Sequence, residues 1–195
     1  MELYYEQNVV NKNIDERAKK TKTLIIAKTI CLFFGVSILM LFSVLWVYYW
    51  LIIPLSIPFF VATFILGRIN KRNNTEYDYV LDDEALKITE IYFRNTRKLK
   101  HVIKLRNIES VGVFDTEGYK KAECNASKKI LALVNYENEQ SIIYILYRCE
   151  KGRRLLFIEP DRGFMMTLRR GVSALTVFDK SIADFEKRMN EADSE

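Results

Sequence analysis

Residues 29–67, TICLFFGVSILMLFSVLWVYYWLIIPLSIPFFVATFILG, contain no charged side chain and decide how the rest of the chain is interpreted. A helix rises about 1.5 Å per residue, so this stretch would reach roughly 60 Å as one continuous helix. The hydrocarbon core of a bilayer is about 30 Å thick and is crossed by roughly 20 residues. The stretch therefore predicts two membrane-spanning helices joined by a tight turn.

Trp and Tyr side chains cluster near the middle of this stretch, in the sequence Trp46-Val47-Tyr48-Tyr49-Trp50. Such residues prefer the headgroup level of a membrane, which favours a turn at the far interface. We therefore place the first span near residues 23–45 and the second near 49–67. The alternative is one long helix buried in a water-soluble protein. It is disfavoured because little else in a chain of 195 residues would cover so much apolar surface.

Basic residues flank both ends of the apolar stretch, whereas its middle carries none. These residues are Lys12, Arg17, Lys19, Lys20, Lys22 and Lys28 on the N-terminal side, and Arg68, Lys71 and Arg72 on the C-terminal side. Lys and Arg concentrate on the cytoplasmic side of short membrane flanks. We therefore expect a multi-pass protein of the cell membrane with both termini in the cytoplasm.

The formal net charge of +5 is confined to the part of the chain that contains the apolar stretch. Residues 1–75 hold 9 Lys and Arg against 4 Asp and Glu, whereas residues 76–195 hold 21 of each. A nucleic-acid-binding domain is expected to carry the basic excess on itself. The charge distribution therefore predicts a lipid bilayer and no nucleic acid among the partners.

In residues 76–172 apolar and polar side chains alternate with a period of two, and Ile, Val, Tyr and Phe are frequent. Both features are typical of strands. Most connections between these runs are too short for a crossover helix, so the strands are expected to be antiparallel. The sequence predicts seven strands, at Tyr77–Leu81, Ala85–Phe93, Leu99–Leu105, Ile108–Phe114, Ile130–Tyr136, Ser141–Arg148 and Arg154–Ile158. Gly112 is interpreted as the site of a bulge, and residues 115–129 as a long polar loop.

Two helices are predicted after the strands. Pro160 and Asp161 mark the start of the first, and its inner face is expected to hold Phe164, Met165 and Leu168. The second, near residues 176–190, belongs to a C-terminal segment, 173–195. Its apolar stripe consists of Phe178, Ile182, Phe185 and Met189. Such a stripe favours packing against the strands over contact with a partner. For the polar segment 1–22, a short juxtamembrane helix and a loose tail remain equal alternatives.

Two stretches resemble bacterial pleckstrin-homology-like (PH-like) domains, which often sit beside paired membrane spans. The first is Tyr79–Ile88, a strand, acidic turn and strand, followed by Lys104–Val111 with its Ile108-x-x-Val111 step. The second is Leu155–Asp161, followed by Phe164 and Leu168. The resemblance covers about residues 77–170. It implies a seven-strand antiparallel PH-like barrel with a C-terminal helix, placed after a transmembrane α-helical hairpin, as a mostly-β cytoplasmic domain.

A basic turn between the second and third predicted strands is the candidate site. Eukaryotic PH domains that bind phosphoinositides place Lys and Arg in the first hairpin turn, but here that turn is Asp82-Asp83-Glu84, which repels phosphate. The basic residues of the second turn are Arg94, Arg97, Lys98 and Lys100. Each cation near an anionic leaflet is worth about 1 kcal/mol. We therefore interpret these four residues as a contact with the membrane surface.

Catalytic chemistry has little support in the sequence. His101 is the only histidine, so any Ser-His or Cys-His pair would need it. No nucleotide-binding, nucleophile-elbow or metal-binding motif is present, and no cofactor or metal is expected. The favoured function is a non-enzymatic membrane-anchored binding or scaffold module with a protein partner or a second copy. The alternatives are a small membrane enzyme that uses His101 or the acidic turn, and an accessory subunit of a larger membrane complex.

Overall fold

A computed structural model describes residues 3–10, 14–44, 49–93, 95–135 and 141–192. The chain divides into two compact units. Residues 12–75 form one, here called the helical unit. Residues 1–11 and 76–195 together form the other, here called the β-rich unit. The β-rich unit is therefore built from two separate pieces of sequence.

The helical unit consists of two long helices, α1 (Ile14–Val44) and α2 (Tyr49–Asn73). The stretches Glu16–Met40 and Ile53–Asn73 are long and apolar enough to cross a membrane. Only 6% of the most apolar window of each is buried, whereas the core helix of a water-soluble protein is mostly buried. The two predicted apolar helices are thus present. Residues 46–48 of the predicted turn lie outside the described residues, whereas Tyr49 and Trp50 belong to α2.

The two helices pack against each other where α1 carries a small residue. A Cβ atom added to Gly35 would lie 3.3 Å from Cβ of Phe59, and the Phe34 and Phe59 rings stack with centroids 6.1 Å apart. Small residues let helix backbones approach closely in such pairs. Near the other end of the pair, the Asn74 side-chain amide donates to the Thr21 hydroxyl at 3.1 Å. The start of α1 therefore lies beside the end of α2.

The N-terminal segment forms a strand, β1 (Tyr5–Val9), that neither alternative from the sequence anticipated. It pairs antiparallel with β2 (Thr75–Leu81), with Tyr5 opposite Leu81 and Val9 opposite Tyr77. Since β2 follows α2, the whole helical unit lies in the chain between two strands that are neighbours in one sheet. Replacing the helical unit by a tight turn would convert β1 and β2 into an ordinary hairpin.

Side chains of β1 also hold the segment that leads into the helix after the last long strand. The Gln7 amide donates to the carbonyl of Glu159 at 2.9 Å and accepts from the N–H of Asp161 at 3.0 Å. The Tyr5 hydroxyl donates to Oδ2 of Asp161 at 2.8 Å. Burial, followed by this hydrogen bond, raises the pKa of Tyr5 to about 12. The first strand is thus fixed by specific polar contacts as well as by sheet pairing.

Nine strands are described, and they form two sheets. The first sheet has the order β1-β2-β3-β4 and the second has the order β6-β8-β7-β5-β9. After β1 and β2 the strands are β3 (Ala85–Tyr92), β4 (Thr96–Lys104), β5 (Ile108–Val113), β6 (Lys128–Leu131), β7 (Ile143–Cys149), β8 (Gly152–Ile158) and β9 (Val177–Phe178). Each of the seven predicted strands overlaps a described strand, but β6 ends at Leu131, whereas the prediction continued to Tyr136.

The predicted seven-strand antiparallel barrel is not confirmed. There are two sheets, and neither closes on itself within the described residues. Two of the pairings are parallel, between β6 and β8 and between β5 and β9. The β6–β8 pairing needs no crossover helix, because β7 intervenes in the chain and pairs antiparallel with β8. The coarser prediction of a mostly-β fold with C-terminal helices holds.

Two local predictions in this region are wrong. Within the predicted loop 115–129 lies a helix, α3 (Glu117–Asn125), capped by Thr116, whose hydroxyl accepts from the N–H of Tyr119. Its buried residues are only Tyr119 and Ala122, so its sequence looks polar throughout. Gly112 is not at a bulge, since it pairs in register with Tyr144 and the irregularity falls between Ile108 and Ser110.

The two predicted helices are confirmed as α4 (Arg162–Gly171) and α5 (Ser181–Ala192). Asp161 caps α4 by accepting from the N–H of Phe164 at 2.7 Å. Phe164, Met165 and Leu168 are buried in the main core, as predicted. Ile182 and Phe185 of α5 are buried in the same core, which confirms that this apolar stripe packs against the strands. The predicted start near residue 176 is wrong, because Phe178 lies in β9 and α5 begins at Ser181.

Candidate binding surface

Strand β4 forms one edge of the first sheet and is exposed along most of its length. Leu99 and Val102 are 56% and 54% exposed, although both are apolar. They lie opposite Thr89 and Lys87, two residues apart on β3, and therefore share one face of the sheet. Leu86 and Ile88 of the same strand point into the core, so Leu99 and Val102 face away from it.

A bulge makes this arrangement possible. The β3–β4 register shifts between Ile88 and Thr89, which leaves Lys100 as the extra residue in β4. A bulge of this kind redirects the side chains that follow it. The register of β4 against β3 also places Arg97 and Lys104 on the outward face. We call the set Arg97, Leu99, Val102 and Lys104 the β4 strip.

The turn before β4 adds a further apolar side chain. Phe93 is 55% exposed and has a φ of 50°, in the left-handed region that non-glycine residues seldom adopt. Such backbone outliers cost about 1–3 kcal/mol and often occur at functional sites. The structure thus holds an aromatic ring in solvent next to the β4 strip.

The structure gives the four predicted basic residues different environments. Arg94 lies outside the described residues. Nη1 of Arg97 is 3.6 Å from Oδ2 of Asp78, and Nζ of Lys100 is 2.8 Å from Oε2 of Glu90. Lys98 is exposed and forms no ion pair with a described residue. The basic turn is therefore partly neutralised by its own sheet.

The ion pairs have visible electrostatic consequences. Asp78 is buried, and burial raises the pKa of its carboxyl group, while the nearby Arg97 opposes that change. Its Oδ1 has no hydrogen-bond partner in the described part of the chain. The hydrogen bond to Glu90 raises the pKa of Lys100, which keeps that side chain charged. Arg97 is thus positioned by a buried acid, and Lys100 by a partly buried one.

His101 is half-buried on β4, opposite Ile88. Burial lowers the pKa of its imidazole, and the positive charge of Arg154 lowers it further. The residues around it contribute mostly positive charge, from Arg154, Lys100 and Lys128, against Glu90. Among the described residues no group of three or more His, Cys, Asp and Glu side chains is arranged to hold a metal ion.

The side chains of the acidic turn between β2 and β3 make hydrogen bonds and an ion pair within the β-rich unit. Oδ1 of Asp82 accepts from the N–H groups of Glu84 and Ala85, and its carboxylate pairs with Lys87. That hydrogen bond with Lys87 is the main reason why the pKa of Asp82 is lowered. Oδ1 of Asp83 accepts from the N–H of Leu3 at 2.6 Å. The turn therefore stabilises the fold and the N-terminal segment.

A second surface, which was not predicted from the sequence, lies between α4 and α5. It is a groove of about 230 Å³ lined by Arg162, Met165, Met166, Arg169, Arg170, Glu186 and Met189. The signal was present as Arg162, Met166 and Arg169 at helical spacing, on the face opposite to Phe164 and Leu168.

Comparison with protein families identifies the architecture. One family model matches residues 1–174, and it describes a bacterial PH-like domain (DUF6106). The chain belongs to this family. The matched range contains β1, both long helices and all strands up to β8, so the interrupted first sheet of this PH-like protein lies wholly within the family model. No curated protein and no solved structure matches the chain.

The family assignment confirms the resemblance drawn from the sequence. That resemblance rested on residues 77–170, whereas the family model extends to the N-terminus. In this PH-like protein the extension coincides with β1 and the helical unit. The two long helices therefore belong to the region that the family model describes.

Proposed function

We propose that this PH-like protein is a non-enzymatic, membrane-anchored binding module. In this proposal α1 and α2 cross the cell membrane, both termini are cytoplasmic, and the β-rich unit is the binding element. The exposed apolar surface of both helices supports it, because such a surface is stable in lipid and costly in water. The basic residues before α1 and at the end of α2, Lys71 and Arg72 among them, support the cytoplasmic orientation.

The observation that carries the proposal is the pairing of β1 with β2 on either side of the helical unit. Strands that pair in one sheet must lie on the same side of a membrane. A chain that leaves that side through α1 has to return through α2. The sheet thus supports an even number of crossings, independently of the charges that flank the helices.

Thiol labelling tests this topology. Cys124 is exposed on α3 and is suited to a variant in which Cys31 and Cys149 are replaced by Ser. We expect a membrane-impermeant maleimide to label Cys124 only after the cells are opened. In the same background, a cysteine at position 46 combined with Cys124→Ser should be labelled in intact cells. Labelling of Cys124 in intact cells would contradict the proposed orientation.

The β4 strip, together with Phe93, is the proposed contact with the anionic leaflet, with Lys98 adding positive charge from the other face of the strand. It combines exposed apolar side chains with cations, which is the composition of membrane-surface elements.

Quenching by spin-labelled lipids in nanodiscs tests the contact. A fluorophore is attached to a Leu99→Cys variant lacking the native cysteines, and Leu175→Cys, at a loop position where the leucine is 89% exposed, serves as the control. Quenching at position 99 is expected in anionic lipid and should weaken with Lys98→Glu/Lys104→Glu. These two lysines are chosen because neither forms an ion pair with a described residue, unlike Arg97. Equal quenching at both positions, or none at 99, would refute the contact.

A further inference from the structure

The outer face of α4 carries cations that form no ion pair within the described part of the β-rich unit. Arg162 and Arg170 are exposed, and neither forms an ion pair with any residue that the structure describes. They are eight residues apart, which is about 12 Å along a helix. Arg169, between them, is already paired with Glu186 at 3.2 Å and lies over the Phe178 ring at 5.3 Å. The two unpaired cations therefore stand at the two ends of the groove.

Methionines form the wall between these cations. Met166 is 47% exposed, Met189 is partly buried, and Met165 is buried in the core behind them. Methionine side chains are flexible and polarizable, and they adapt to the shape of the group that packs on them. An exposed methionine between two arginines is costly to leave in water and suited to contact with an apolar side chain.

The size and charge of the groove limit what it can hold. Its volume of about 230 Å³ is below the roughly 300–1,000 Å³ of pockets that enclose small organic ligands. One or two side chains of a peptide fit that space. A flat layer of anionic headgroups would leave the concave part empty and would meet the carboxylate of Glu186 at its wall.

We propose that the α4–α5 groove binds an acidic amphipathic segment of a partner protein. An apolar side chain of that segment packs on Met166 and Met189. Carboxylates on either side of it pair with Arg162 and Arg170, because a guanidinium presents parallel donors to a carboxylate. This site is separate in the sequence from the β4 strip, so it does not depend on the membrane contact proposed above.

A displayed peptide library tests the proposal with the full-length protein. Randomised 12-residue peptides on phage are selected against the protein in nanodiscs and counter-selected against an Arg162→Glu/Arg170→Glu variant. The selected peptides should carry two acids flanking an apolar residue. Their affinity, measured by fluorescence anisotropy, should fall at least tenfold in the double variant. Met166→Ser should also weaken binding.

The matched control is Arg106→Glu/Lys151→Glu, which makes the same change in charge at two exposed positions outside the groove. Affinity should be unchanged in this control, and all variants should show the same thermal unfolding curve. No enrichment, or peptides indifferent to the double variant, would overturn the proposal. Two further results would overturn it, because each would identify a different occupant of the groove. The first is that the protein binds anionic vesicles and the double variant does not. The second is that the protein self-associates and the double variant does not.

Discussion

Val9 and Tyr77 lie directly opposite each other in the β1–β2 ladder, and the whole of α1 and α2 lies between them in the chain. The pair that follows in this register would be Val10 with Glu76. A two-residue turn closes an antiparallel pair of this kind, most favourably with the sequence Asn-Gly. The β-rich unit is therefore a domain whose first hairpin turn has been replaced by a helical unit.

Replacing residues 11–75 by Asn-Gly is expected to give a folded, water-soluble domain. The new turn continues the β1–β2 register with a sequence that is favoured in two-residue hairpins, and the exposed apolar helices are removed. A chain of residues 76–195 alone lacks β1 and is expected to be less stable. Urea unfolding of the two proteins measures the difference. Equal midpoints would mean that β1 contributes nothing to the stability of the sheet.

Gln7→Ala in that soluble domain should lower the free energy of unfolding by about 1–3 kcal/mol. The change removes two hydrogen bonds and leaves the carbonyl of Glu159 and the N–H of Asp161 without those partners. Asn8→Ala, on the exposed side of the same strand, is the control and should change stability by less than about 0.5 kcal/mol. Similar losses in both variants would contradict a specific role for Gln7.

Gly112→Ala should destabilise the domain by about 1–3 kcal/mol, a cost typical of overpacking. An added Cβ would lie 2.6 Å from Cε1 of the Tyr144 ring, which is itself buried. Tyr144→Leu removes the clash, so the double variant should lose less than the sum of the two single losses. Additive losses in chemical unfolding would show that the ring does not limit the side chain at position 112.

The stability of the domain should fall as the pH is lowered from 7.5, through the titration of His101. Burial, assisted by Arg154, lowers the imidazole pKa below its usual 6.5. At pH values between the lowered pKa of the folded state and about 6.5, the unfolded chain binds more protons than the folded one. Stability is therefore lost as the pH falls below about 6.5. Above about 6.5 the contribution is complete.

The titration of the His101 imidazole can be followed by NMR, because the chain has a single histidine and one imidazole signal is expected. Its titration midpoint in the soluble domain should lie below 6.5, and Arg154→Gln should move it upward. His101→Gln should remove this part of the pH dependence of urea unfolding. A midpoint at or above 6.5 would show that the ring is hydrated and free of the positive field.

Strong periodic signals made most of the elements predictable. The uncharged stretch 29–67 predicted two helices, the alternation after Tyr77 predicted seven strands, and Asp161 marked the start of α4. These signals are local, since each depends on residues within one element. The packing of Ile182 and Phe185 was predictable for the same reason.

The errors have a common physical cause, which is that the decisive contacts are distant in the sequence. The inward residues of β1 are Tyr5, Gln7 and Val9, and the polar Gln7 breaks the apolar alternation that marks a strand. Its amide is satisfied by Glu159 and Asp161, far along the chain. Likewise, the ion pairs that neutralise Arg97 and Lys100 come from Asp78 and Glu90 on other strands.

The interrupted first hairpin also sets a timetable for biosynthesis. A ribosome adding about 5–20 residues per second releases β1 first and needs roughly 3–13 s more for residues 11–75 before β2 emerges. Until then the first strand has no sheet to join. The first sheet can therefore be completed only after both intervening helices have been synthesised. A chain that stalls between them leaves β1 unpaired and accessible to quality-control factors.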